Sequence, residues 1–435
     1  MRARVASALS GSVTSKEIHA GPKVKPNAVF RVQKYVGKGA LRFAAILLAA
    51  AATCRAEWVR LVSPHFELYT SAGQAAGADA IRYFEWVRVF FVQASPLRNT
   101  TNKPVRIVLF RSAEEYRPYS PSAANIAYYA QTHRRDYIVM QDERAGRDPV
   151  AIHEFTHLMI AQQGWTLPVW LGEGWADVNS TLRRTGPDKV LIGDLIPGRV
   201  ETLRRNPWIP LTALTSATES SPLYTGPRAQ MFYAESWALA HMLYLSPNYG
   251  PGFGPFVLAL ARGAGFSRAC EIAFHRSPYQ VERDLHTYLD SRQLYGLTFT
   301  VKFSDASTAV RSAPLTRFDS DLELADLLAA VHHFAAAKSA YRWLAQRYPD
   351  RPEVEESLGY LAWSMGNLAA ARSHFAAALD RGTRDAAMCV DYALLERGAH
   401  DRLGARQALE RAVALDPGNQ RARRELAQLS MRRAD

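Results

Sequence analysis

Cysteine is scarce, with three residues in a chain of 435, and that excludes a fold held by a disulfide framework. Cys54 lies in an apolar segment near the start, while Cys270 and Cys389 fall in regions of different pattern, so both are expected to be buried thiols. The apolar run at residues 43–52 is ten residues long, too few to span a bilayer core. No glycine-rich loop follows a strand pattern, which removes phosphate-cradle chemistry, and no Ser/His/Asp arrangement stands out. No basic helix or aromatic-interleaved basic patch accompanies the net charge of +12, so nucleic acid is not an expected partner.

What is present suggests two or three domains, since 435 residues exceed one ordinary core. The chain is 48% hydrophobic and 22% charged, close to the globular average. Its basic excess is uneven: residues 1–35 hold seven Lys/Arg against the single acid Glu17, about half of the net charge. Arg42 then precedes the apolar run, which ends in "TCRA" with the small residues Cys54 and Ala56 before Glu57. That order matches a secretory signal cut near Glu57, and its depth in the chain suggests that translation starts near Val36. The expected localisation is therefore exported (periplasmic, cell-envelope or secreted). A short helix tethering residues 41–53 to a membrane is the other reading.

From residue 57 onward, strand-like runs at 66–70, 104–110 and 136–141 surround a helical pattern at about 75–91. Residues 149 to about 295 read as mostly helical, interrupted by Pro/Gly/Ser-rich loops such as "SPNYGPGFG". A different grammar begins near 318. Phe318, Pro352 and Ala386 share one phase of a 34-residue period. At that period small residues recur at Ala337, Ala371 and Ala405, and bulky ones at Tyr341, Phe375 and Leu409. Leu344, Ala378 and Ala412 follow, and Ala325, Gly359 and Ala393 form a further small set. The pattern resembles the tetratricopeptide repeat, in which small residues let paired antiparallel helices approach closely. Three units and a polar last helix account for 318–435.

The chemistry concentrates in "AIHEFTHLMIA" (151–161). Asp148 as N-cap and Pro149 in the first turn open a helix to about Gln163, with His153 and His157 on one face, one turn apart. Both imidazoles can reach one ion, and Glu154 can reach a water on that ion without binding the metal. Zinc lowers the pKa of such a water to about 7, so a nearby carboxylate can take its proton. A catalytic zinc normally takes three protein ligands. Glu173 in "LPVWLGEGWADV", 16 positions past His157, is the candidate for the third. A loop through Gly164 and Trp165 returns this second helix antiparallel to the first, and Asp177, one turn on, can orient a liganding histidine.

"HEFTH" followed by "LPVWLGEGWAD" resembles the gluzincin zinc metallopeptidases of the thermolysin-like clan, specifically the peptidase-MA-like bacterial group. The resemblance covers roughly 58–295 and includes "MFYAESWALAHMLY" (231–244). It implies one zinc held by His153, His157 and Glu173, with Glu154 as general base and Asp177 orienting a ligand. It also implies that "DYIVMQ" is the edge strand along which an extended substrate lies. The chain departs from the family at the histidine that stabilises the tetrahedral oxyanion, for which no match is found. Tyr233 and His241 are candidates and Tyr224 a weaker one; Tyr233 is the assignment carried forward.

The expected architecture is an α+β zincin-like metallopeptidase domain at 57–300, a small sheet plus active-site helices, followed by an all-α repeat solenoid at 318–435. Its expected activity is hydrolysis of protein or peptide bonds, with the repeats docking a protein partner or substrate. The other function class is an inactive metalloprotease-fold scaffold acting through its repeats. The intact set of His153, Glu154, His157 and Glu173 speaks against it, because a scaffold has no need of the base.

Overall fold

The computed structural model describes residues 57–95, 105–121, 126–142, 149–291, 294–303 and 309–431. The signal-like segment and the N-cap Asp148 lie outside them. The chain is α+β, with a small mixed sheet and many helices. Strands β1 (Val59–Val62), β2 (Glu67–Thr70), β3 (Val105–Phe110), β4 (Ala127–Gln131) and β5 (Asp136–Gln141) join β9 (Arg311–Pro314) in one sheet. Its order is β4-β5-β3-β2-β1-β9. β3 runs parallel to both β2 and β5, and the other pairings are antiparallel.

β3 and β5 are apolar on both faces because both faces are covered. Ile107, Leu109, Ile138 and Met140 point into one core with the long helix α1 (Gln74–Ala94). There Phe155 of α2 (Pro149–Gln162) meets Phe66, Phe84 and Phe91. Val108, Phe110, Tyr137 and Val139 point the other way, against Leu324 and Leu327 of helix α9 (Arg317–Ala330). This explains why these strands read as continuous apolar runs and not as alternation.

"DYIVMQ" is therefore not the edge strand. It is buried along its whole length as β5, between β3 and β4. The edge is β4, "AYYAQ", which follows a break in the pattern and carries only five residues. The opposite edge is β9, so the sheet draws on chain beyond residue 300, where the sequence pattern placed the end of the first domain.

After α2 the chain turns at Gly164, whose φ of +70° is the left-handed conformation glycine adopts freely. Helix α3 (Val169–Ser180) then starts behind Pro168. A two-strand hairpin, β6 (Arg183–Arg184) and β7 (Lys189–Ile192), pairs with β8 (Leu297–Thr300) in a second sheet. The longer helices of this half are α4 (Pro197–Arg205), α5 (Ala229–Leu245), α6 (Phe253–Ala261), α7 (Phe266–Phe274) and α8 (Pro278–Asp290). α5 is buried around most of its circumference and crosses α3 where Gly174 faces the Ser236 carbonyl; a Cβ at 174 would collide with that oxygen.

From α9 on, the helices pair antiparallel: α9 with α10 (Phe334–Arg347), α11 (Pro352–Ser364) with α12 (Leu368–Asp380), and α13 (Ala386–Gly398) with α14 (Arg402–Leu415). α15 (Gln420–Met431) packs on the last pair. The turn inside each pair holds a left-handed residue, His332, Gly366 or His400, at 34-residue intervals. Ala337, Ala371, Ala405, Tyr341, Phe375 and Leu409 are all buried. At Gly359 a Cβ would overlap the Phe375 ring, so the small residue is what allows α11 and α12 to close up. Cys270 and Cys389 are both free and buried, and burial pushes each thiol up to about 12.

Candidate metal centre

A cleft of about 1390 Å³ runs between β4, α2, α3, α4 and the start of α5. Its floor is the helix pair α2/α3. α2 presents His153 and His157 one turn apart, and the reversal at Gly164 brings Glu173 of α3 opposite them. His157 Nε2 lies 3.1 Å from His153 Nε2. Glu173 Oε2 lies 3.2 Å from His153 Nε2 and 3.6 Å from His157 Nε2. Donor atoms around a tetrahedral ion with bonds of about 2.0–2.1 Å are separated by about 3.3 Å. The three observed separations bracket that value, so His153, His157 and Glu173 can hold one metal ion.

The surrounding polar groups fix this geometry. Asp177 Oδ1 accepts from His153 Nδ1 at 3.0 Å, which turns Nε2 toward the centre. The other Asp177 oxygen accepts from Arg199 Nε at 2.7 Å. Arg199 enters on α4, whose Pro197 lies in the first turn, and its guanidinium sits 5.0 Å over the Tyr233 ring. Burial draws the His153 imidazole down, but the bonds to Asp177 and Glu173 outweigh it and hold it up at about 10. Burial likewise opposes ionisation of Glu173, yet the two imidazoles keep its carboxylate below the usual range. A divalent cation at the centre would compete for the same lone pairs as that proton.

Glu154 is in a different situation. Its Oε2 accepts from the Tyr129 amide of β4 at 2.7 Å. Burial raises its carboxyl; the imidazoles of His153 and His157 oppose the rise and the Glu173 carboxylate adds to it. The carboxyls of Glu154 and Glu173, on neighbouring helices, are thus shifted in opposite directions. This separation is the usual sign of divided acid and base roles.

The three tyrosine and histidine candidates for the remaining role separate clearly. Tyr224 donates from its hydroxyl to Glu173 Oε1 at 2.9 Å. Tyr233 lines the cleft and is hydrogen-bonded to Tyr224; burial raises both phenols. His241 does not reach the cleft: it is buried between the Tyr288 hydroxyl at 2.8 Å and the Gly193 carbonyl at 3.1 Å. Burial lowers it to about 4, and its role is to join α5, α8 and the start of the loop after β7.

Sequence reading missed Arg199, Tyr129 and the contact of Tyr224. Arg199 is 22 residues from Asp177, and nothing in "IPGR" marks it as a partner. Tyr129 acts through its backbone, for which no side-chain pattern exists. No protein-family model matches the chain, and no curated protein matches it either.

Proposed function

We propose that the chain is an exported zinc metallopeptidase of the gluzincin type, with tetratricopeptide repeats at its C-terminal end. The observation that carries this reading is the convergence of His153, His157 and Glu173 at separations suited to a tetrahedral ion, with Glu154 alongside and bonded elsewhere. A nitrogen- and oxygen-donor set of two imidazoles and one carboxylate is typical of catalytic zinc. Zinc, when bound, polarises a substrate carbonyl and acidifies water.

The chain's own residues supply the rest. Glu154 takes a proton from the attacking water and delivers it to the leaving amine; its raised carboxyl suits both steps. The Tyr129 amide holds the Glu154 carboxylate in place. Because that amide points away from β5, the alternation of an antiparallel ladder turns the backbone groups of Ala127 and Gln131 outward as well. An extended peptide can add to this edge as a further strand. Tyr224 and Tyr233 stand on the opposite wall, where a phenol can donate to the developing oxyanion. Tyr233, which bonds Tyr224 and not Glu173, is our assignment for that role, its O–H turning from Tyr224 to the oxyanion. The apolar segment at 43–52 supports export, and a membrane tether is the outcome if it is retained.

Metal analysis and one substitution test the proposal together. Wild type and Glu154→Gln are expected to carry about one zinc per chain, and His157→Ala little. Glu154→Gln is expected to lower peptide hydrolysis by about 10²–10⁴. Bound zinc with hydrolysis unchanged by Glu154→Gln would leave a scaffold acting through its repeats.

A further inference from the structure

Residues 132–135 connect β4 to β5, with His133 and Arg134 at the tip and Thr132 closing the turn. The Thr132 hydroxyl donates to the Arg135 carbonyl at 2.7 Å and accepts from the Arg135 amide at 3.1 Å. Such a tip at the rim of a sheet would ordinarily be solvated. Here Arg134 is half-buried against helices α9, α11 and α13, while His133 stays at the exposed rim of the same contact. Arg134 reaches Glu356 at 2.5 Å, Asp385 at 3.0 Å and Asp326 at 3.9 Å. These carboxylates come from three successive helix pairs: Asp326 on α9, Glu356 on α11, and Asp385 as the N-cap of α13. The guanidinium also lies 5.7 Å over the Tyr360 ring, and His133 stacks on Trp363 at 4.3 Å with the planes 13° apart. Behind it, Arg106 of β3 pairs with Glu323 of α9.

Three carboxylates converging here, Glu356 buried and Asp326 and Asp385 half-buried, would repel without a cation between them; the Arg134 guanidinium donates to Glu356 and Asp385 and lies near Asp326. The hairpin tip therefore fills the groove as a peptide ligand would. β4, the strand this tip terminates, carries the Tyr129 amide that holds Glu154.

We infer that the face of the repeats formed by α9, α11 and α13 is a receptor for the chain's own His133–Arg134 tip, making Arg134 a positioning residue that sets the edge strand β4 against Glu154 from outside the cleft. The consequence for catalysis rests on the peptidase reading; the clamp itself does not. The repeats then serve the site intramolecularly, and an external protein is not what this face is shaped for.

Native-state hydrogen exchange of the full chain, followed beside peptide cleavage, tests this. In Arg134→Gln, amides of β4 including Tyr129 are expected to exchange at least tenfold faster, with α2 unchanged and zinc content retained. For an extended peptide, KM is expected to rise at least fivefold, more than kcat falls, and Arg134→Lys is expected to recover part of both. Should Arg134→Gln fail to fold, Glu356→Gln with Asp385→Asn neutralises the two carboxylates that bond Arg134 at equal volume, and faster β4 exchange is expected there too. Unchanged β4 exchange in a folded variant overturns the clamp. Faster β4 exchange in a chain whose wild type cleaves no peptide supports the clamp and sinks the peptidase reading instead.

Discussion

Asp177 divides its two oxygens between His153 and Arg199, so the orientation of a proposed ligand depends on a cleft-lining side chain outside the donor set. Asp177→Asn and Arg199→Ala are expected to weaken metal binding by about 10–100-fold, measured by competition with a chromophoric chelator. Asp177→Asn should cost more, because it removes the carboxylate that fixes the Nδ1–H tautomer of His153 and raises the basicity of Nε2 toward a metal. A second buried carboxyl, Glu235 on α5, accepts from the Ile209 amide and is pushed up by burial to about 7. An ordinary glutamate of the unfolded chain ionises near 4.5. The folded chain binds this proton more tightly, so its contribution is complete below about 4.5 and is lost as pH rises through about 7. Glu235→Gln should flatten that decline, seen as a smaller drop in unfolding midpoint between pH 5 and pH 8. His241 acts in the opposite sense: held neutral to about 4, it withdraws stability as pH falls from 6.5 to 4.

At the scale of elements, the crossing of α3 and α5 decides whether Glu173 arrives. Gly174 is the contact point, and any side chain there meets the backbone oxygen of Ser236, which cannot rotate away. Gly174→Ala is expected to destabilise the fold by about 1–3 kcal/mol and to lower zinc content, by urea unfolding and metal analysis respectively. The helices themselves were legible. Pro149, Gly164 and Pro168 punctuate the sequence as they do the structure, and the spacing of the two histidines and Glu173 survives unchanged. The edge of the sheet was not legible. β4 is short, and "AYYAQ" carries no strong alternation, whereas "DYIVMQ" is conspicuous because it is buried on both faces. Conspicuousness in sequence thus marked the strand at the centre of the core.

For the whole molecule, the helical repeats are no detachable appendage. Leu324 and Leu327 of α9 cover the face of the sheet formed by Val108, Phe110, Tyr137 and Val139. A chain ending at Pro314 would present that face to water, along with an Arg106 that keeps Glu67 but has lost Glu323. It is expected to bind a hydrophobic dye and aggregate, checked by fluorescence and light scattering, although all the proposed zinc ligands are present.

The sequence by itself determined the repeat register, since a period of 34 residues depends only on which positions are small and which bulky. It also determined the donor set, because helical pitch alone puts His153 beside His157, and a helix reversal supplies Glu173. Tertiary structure alone decided what surrounds those donors: Arg199 behind Asp177, the Tyr129 amide on Glu154, Tyr224 on Glu173, and the Arg134 tip in the repeats. Each of these joins residues at least 22 positions apart, and Arg134 and Glu356 are 222 apart. Local pattern encodes pitch and burial, whereas contacts between distant segments depend on how packed elements are placed in space.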